Sequence, residues 1–229
     1  MTTPHPLDNP VWASLTSCHS RLAETRAGAA RYPADVAPFV AVGVADNQAA
    51  QEAARMIVPG EQVCFVGLAP PLPAGWHVEP PVPIAQMIRR ARLELIEGPD
   101  VIELSEAHAV DVLALTALVY PHYFRARTMA MGRYLGIYDG NVLAAMAGER
   151  MHFDGHCEIS AICTHPDYPG RGYARRLIAM LTNDILARDE LPFLHFSHDN
   201  LRAKALYERI GFVFRTDIAL VVATRPADA

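Results

Sequence analysis

Residues 157–174 read CEISAICTHPDYPGRGYA. An apolar, strand-like run enters a turn holding Gly170 and Gly172, and the turn opens a helix. A helix start offers several unpaired backbone N–H groups and the positive end of the helix dipole, and both favour a phosphate or pyrophosphate. Glycine at 170 and 172 lets an anion approach the backbone because no Cβ intrudes. Arg171 between them adds charge at the rim. A plain strand-to-helix turn that needs glycine for its geometry accounts for the same pattern, so the GxG alone does not decide. On the strand ahead of the turn, Glu158, Ser160, Ile162 and Thr164 alternate onto one sheet face. A carboxylate at 158 could take a proton from an incoming ammonium, directly or through water. The alternative is a strand-end carboxylate facing solvent. Further on, Asn200, Lys204 and Tyr207 stand at i, i+4 and i+7 and share one helix face.

Other chemistry is weaker or absent. His195 and His198 form an HxxH, but strand-like spacing over 193–197 does not set them as helical metal ligands, and no metal is expected. His165 precedes a proline in the turn and reads as a surface residue. The four cysteines, Cys18, Cys64, Cys157 and Cys163, make no CxxC pair. Cys157 and Cys163 read as buried free thiols without a basic partner, which disfavours a covalent cysteine route. The Gly-rich turn lacks the Lys-Ser/Thr of a P-loop, which argues against a nucleotide site.

These residues need elements to position them. Residues 105–119 read as a helix capped by Ser105. Residues 133–138 and 142–150 read as strands around the hairpin signal Asp139-Gly140-Asn141. A strand is expected over 157–164. A long amphipathic helix follows over 172–188, with Ala174, Leu177, Ile178, Leu181 and Ile185 on one face. A short strand at 193–197, a helix over 200–210 stopped by Gly211, and a strand over 212–224 complete the order. That order predicts an α/β fold, a mixed sheet with helices on its faces. Upstream, the spacing predicts helices over 12–24 and 46–57, the second capped by Asp46 and closed by Pro59-Gly60, and a strand over 61–68. Residues 69–83 hold six prolines and a glycine and read as an extended connector rather than a helix or central strand. A helix is expected over 84–95, a break at Gly98-Pro99, and a strand over 100–104. The functional boundary falls near residue 98, which divides the chain into a smaller N-terminal α/β half-domain, 1–98, and a second domain, 99–229.

Two segments, HPDYPGRGYARRLI and NLRAKALYERIGF, together resemble the two cofactor-binding motifs of the GNAT superfamily of N-acetyltransferases. The resemblance covers about residues 100–222, and the second half is similar to the FR47-like and glycine N-acyltransferase-like branch. The signature [Q/R]-x-x-G-x-[G/A] maps onto Pro169, Gly170, Arg171, Gly172, Tyr173 and Ala174, with Pro169 where the family has Gln or Arg. Proline there removes one donor, so somewhat weaker cofactor binding is expected. The pattern N-x-x-A-x-x-L-Y-x-x-x-G-F matches Asn200, Ala203, Leu206, Tyr207, Gly211 and Phe212. The resemblance implies a GNAT-type mixed central sheet, acetyl-CoA as co-substrate, pyrophosphate on the amides of 169–174, and Asn200 on the pantetheine arm. It implies that the backbone of Ile162, Cys163 and Thr164 bonds the pantetheine and orients the acyl carbonyl. It implies Tyr207 as the acid that protonates the departing thiolate and Glu158 as the base. By analogy with the family's first helices, His108 and His122 would line the acceptor pocket, and residues 122–133 would form either an acceptor-binding loop or a solvated one. The upstream half resembles the degenerate leading domains of some family members, which leaves shaping of the acceptor site, dimerisation or cover of a sheet face open.

The expected activity is transfer of an acetyl group to a primary amine by direct attack in a ternary complex. A non-catalytic acyl-CoA sensor is the other reading. A net charge of −5 and no basic stripe with interleaved aromatics argue against nucleic acid. No signal-like start or 18-residue apolar run is present, and a reduced, cytoplasmic setting is expected. The acceptor's identity stays open among amino acid, polyamine, drug-like amine and protein amine.

Overall fold

The computed structural model describes residues 5–121 and 123–227. Upstream of residue 98 the chain forms α1 (Pro10–Leu15), β1 (Glu24–Arg26), β2 (Ala29–Arg31), β3 (Val40–Val42), α2 (Asn47–Met56), β4 (Gln62–Val66), β5 (His77–Val78) and β6 (Val82–Ile88). Downstream come β7 (Ile102–Leu104), α3 (Ala109–Val119), β8 (Tyr134–Asp139), β9 (Val142–Phe153), β10 (His156–Thr164), α4 (Tyr173–Ala187), β11 (Leu191–Ser197), α5 (Leu201–Arg209) and β12 (Val213–Thr224). The first three strands make a small antiparallel sheet. The rest join one mixed sheet in the order β4-β12-β6-β11-β10-β9-β8-β7, with β5 also on β12. Strands from both sides of residue 98 therefore share this sheet.

Local sequence explains many of these elements. Asp46 caps α2 by accepting the Ala49 N–H at 2.8 Å. Gly140 takes φ +59° at the tip of the β8–β9 hairpin, where Asp139 pairs with Val142. Leu177, Ile178, Leu181 and Ile185 of α4 are fully buried against the sheet. Each such burial contributes about 2 kcal/mol. Ala174, expected on the same face, instead lines a cleft at the helix start.

Two helix expectations are corrected. Residues 84–95 do not form a helix: Val82–Ile88 is a strand, β6, inserted between β11 and β12 and antiparallel to both. Its centre, Ala85, Gln86 and Met87, is buried. A strand with neighbours on both edges and both faces covered shows little alternation, and periodicity cannot separate such a run from a buried helix. The Pro-rich connector therefore runs into a central strand, with β5 also lying within it. Pro83 is tolerated because β11 pairing ends at Ile84, so Pro83 bonds towards β12 alone. The helix expected over 12–24 stops at Leu15. There the Thr16 and Ser17 hydroxyls bond the carbonyls of Trp12 and Ala13 at 2.7 and 2.6 Å, a local alternative to further helix.

The turn after α1 carries a buried polar knot. Ser14 Oγ lies 3.0 Å from His19 Nδ1 and 2.8 Å from Tyr32 Oη, and His19 Nδ1 lies 2.8 Å from Tyr32 Oη. Ser14 Oγ also donates to the His152 carbonyl at 2.9 Å, tying α1 to β9. Burial, helped by nearby His152, lowers the His19 pKa from 6.5 to about 4. Below pH 6.5 the unfolded chain gains a proton that the folded chain refuses until about pH 4, so stability falls across that window. Between pH 7.5 and 5, His19→Asn is expected to lose about 2 kcal/mol less stability than the parent in urea unfolding. Equal pH slopes for the two proteins would contradict this role for His19.

Candidate active site

The strands β10 and β11 are parallel partners only at His156–Leu191, Cys157–Pro192 and Glu158–Phe193. Beyond Glu158 they part. One cause lies in β10 itself: Ser160 pairs with Gly148 and Cys163 with Met146, so the bulged strand carries one extra residue there. Ala161 takes φ +50°, left-handed and uncommon outside glycine, and turns the backbone out of the ladder. The gap is a cavity of about 280 Å³. Residues 159–163 and 195–197 form its sides. Phe39, Val66 and Ile84 reach it from the upstream half, and Tyr120 and Tyr123 from the loop after α3.

A second cleft, about 550 Å³, lies over the start of α4. Gly172 is the N-cap with φ +79°, and no side chain caps the helix, so the first-turn N–H groups keep their donor capacity. Gly170 has φ +73° and open space where a Cβ would stand. The Arg171 guanidinium lies over the Tyr168 ring at 4.6 Å and bonds Asp139 at 3.3 Å. Val119, Ile162, Asn200 and Tyr207 line both the cleft and the cavity, so the two spaces meet there. Asn200 Oδ1 caps α5 through the Ala203 N–H at 3.0 Å. Tyr207 is buried between the rings of Phe196 and Phe212, and its hydroxyl has no protein partner among the described residues. Burial pushes its pKa well above the ordinary phenol value, which keeps the proton in place.

Glu158 sits beneath the cavity floor. It is fully buried and is not part of the lining. Arg150 Nε and Nη2 each donate to it at 2.7 Å, and His195 Nδ1 lies 2.7 Å from Oε1. Gln86 fixes the His195 tautomer. Its Nε2 donates to the Leu7 carbonyl and its Oε1 accepts from Arg215, so the amide orientation is set. His195 Nε2, 2.9 Å from Gln86 Nε2, must then accept, and the imidazole proton sits on Nδ1, towards Glu158. Burial pulls the Glu158 pKa upward, but Arg150 and then His195 outweigh it and hold it at about 2. A carboxylate so held is a weak base at neutral pH.

The FR47-like protein family matches residues 134–220. A solved structure from Novosphingobium aromaticivorans DSM 12444, designated an acetyltransferase of the GNAT family, is 31% identical, with 99% of this chain and 100% of that one covered at a TM-score of 0.88. This chain belongs to the GNAT family. A GCN5-related N-acetyltransferase from Kribbella flavida shares the fold at 16% identity, TM-score 0.62 and 96% coverage of both chains. A GCN5-related N-acetyltransferase-like protein from Streptococcus suis 89/1591 does so at 14% identity and TM-score 0.56, covering 94% and 92%. No curated protein matches the sequence.

Placed in this GNAT fold, Ile162, Thr164, Asn200 and residues 169–174 all line the cleft, while buried Cys163 borders the cavity. Burial raises the Cys163 thiol to about 12 and the Cys157 thiol further, so neither is a ready nucleophile. His108 stands apart from the cavity, accepting the Ser105 N–H at 3.0 Å beside a different shallow pocket, and His122 lies outside the described residues. His198 pairs with Asp217 at 2.7 Å, and no cluster that could hold a metal occurs among the described residues. In the 122–133 segment, Thr128 and Met131 are buried and Thr128 bonds the Val36 carbonyl, so the segment packs on the upstream half. Sequence reasoning missed Arg150, Phe39 and Gln86. The available signal was one arginine in VLAAMAGERMHF and one glutamate in CEISAIC, complementary charges in neighbouring apolar strands.

Gly170→Ala tests the turn. The new Cβ meets no protein atom, so stability should fall only by the left-handed backbone cost, about 1–2 kcal/mol. Calorimetric affinity for CoA should fall 10-fold or more if a phosphate approaches this backbone. Unchanged affinity would remove the turn from the cofactor site.

Proposed function

We propose that this GNAT protein is an acyl-CoA-dependent N-acyltransferase that moves acetyl from acetyl-CoA to a small primary amine within a ternary complex. The junction of cleft and cavity at Tyr207 carries the reading, because it gives two substrates one meeting point. The residues fit the donor: the uncapped start of α4 and the glycines at 170 and 172 suit a pyrophosphate, and Ile162 and Asn200 border the path from cleft to cavity. Acetyl-CoA supplies the activated thioester. Holding both substrates together removes much of the entropic barrier to transfer.

The backbone of residues 162–164, left without a β11 partner beyond the β10 bulge, orients the acyl carbonyl and stabilises the developing oxyanion. The amine nitrogen forms the new bond to the carbonyl carbon as the carbon–sulfur bond breaks. Tyr207 gives its proton to the leaving sulfur and is reprotonated through cavity water by the proton that the nitrogen loses as the amide forms. The ammonium proton leaves through cavity water and not onto Glu158, whose oxygens are already engaged. Glu158 acts instead by fixing Arg150 and His195. Pro169 offers no N–H to the turn and weakens donor binding modestly.

The engaged Glu158 is also the observation that favours a second reading, a CoA sensor without turnover. Tyr207→Phe separates the two. In a thiol-release assay, kcat should fall about 100-fold while CoA affinity stays within a few-fold. CoA binding without turnover of any amine by the parent protein would favour the sensor.

A further inference from the structure

The ion pair beneath the cavity is one-sided. Glu158 is fully buried, whereas the Arg150 side chain keeps 13% of its surface exposed and lines the cavity. A neutral pair thus presents only its cationic member to the acceptor space. The guanidinium carries five N–H donors in a rigid plane. Nε and Nη2 hold Glu158, and Nη1 has no hydrogen-bond partner among the described residues. The Phe39 ring, 5.0 Å from Cζ, covers one face, and Tyr123 stacks on Phe39 at 6.4 Å with the rings 8° from parallel. The fork cannot swing away, and its free edge is what remains for a ligand.

Burying such a pair costs more desolvation than an apolar pair would. His195, itself oriented by Gln86, spends a hydrogen bond on the hidden Glu158 and so keeps the anion beneath the floor. The rest of the wall is mostly apolar: Val66, Ile84, Ile159 and Leu220, with Phe196 towards Tyr207. A fixed guanidinium edge in an apolar cavity matches a carboxylate, which accepts two parallel N–H bonds, better than any neutral group. A second ammonium would meet a like charge.

We propose that the acceptor is an amino acid with an apolar side chain, its carboxylate bound by Arg150 and its amine directed to the junction at Tyr207. This rests on the N-acyltransferase reading and narrows it, disfavouring polyamines and lysine side chains. It also gives the upstream half a role at the site, since Phe39 clamps the anchor.

Leucine, leucinamide and 3-methylbutylamine form a matched acceptor series. In initial-rate assays with acetyl-CoA, leucine should exceed both others in kcat/KM by 10- to 100-fold, the range for a charge-assisted hydrogen bond. Arg150→Lys keeps a charge for Glu158 but loses the fork, and the leucine preference should shrink towards one, chiefly through KM. Because this variant disturbs a buried pair, the parent protein is also titrated with N-acetylleucine and N-(3-methylbutyl)acetamide by calorimetry, and only the first should bind. Equal rates across the series, with acetylation intact, overturn the carboxylate anchor and leave the acyltransferase reading standing. Arg150-dependent binding of N-acetylleucine without turnover of any amine keeps the anchor and sinks acyl transfer. Neither turnover nor N-acetylleucine binding overturns both.

Discussion

After Glu158, β10 and β11 stop bonding each other, and the backbone edges they turn towards the gap lose their sheet partners. Unpaired backbone in a protein interior is costly unless something else bonds it. Elsewhere in the sheet the chain supplies that bonding: β9 continues along β10, and β6 runs along the far edge of β11 and holds it to β12. The gap is therefore flanked by supported strands, and its free backbone groups face the cavity. Ala161 concentrates the departure in one left-handed residue. The cavity, the cleft and their junction at Tyr207 all follow from this parting.

The upstream half is bound into the same device. Its β6 is a structural member of the central sheet, and Phe39, Val66 and Ile84 complete the cavity wall. The buried charges then set the cavity's character. Arg150 and Glu158 reach each other across β9 and β10, and the network extends through His195 and Gln86 to Arg215 and Asp8, which bond at 2.6 Å. One network thus ties the floor of the cavity to the first residues of the described chain.

What the sequence made legible was local. The α4 face showed in its 3.6-residue spacing, the α2 start in Asp46, the hairpin in Asp139-Gly140-Asn141, and the cleft in the Gly170–Gly172 turn and the 200–212 pattern. What it hid was non-local. Residues 84–88 are a strand only because β11 and β12 flank them, and nothing in their own order says so. Arg150 and Glu158 lie eight positions apart and meet only through strand register. The strand face and the family resemblance both make Glu158 a base, but its burial and its partners, which decide its basicity, come from other strands. Phe39 reaches the site from more than a hundred residues upstream of β10, beyond any local pattern.

The most direct test is a crystal structure of the protein with acetyl-CoA bound. The account predicts the pyrophosphate on the amides of 170–174, the thioester carbonyl against the backbone of 162–164, and the sulfur within hydrogen-bonding reach of the Tyr207 hydroxyl, pointing towards the Arg150 cavity. Acetyl-CoA bound elsewhere, or with its thioester turned away from that junction, would contradict it.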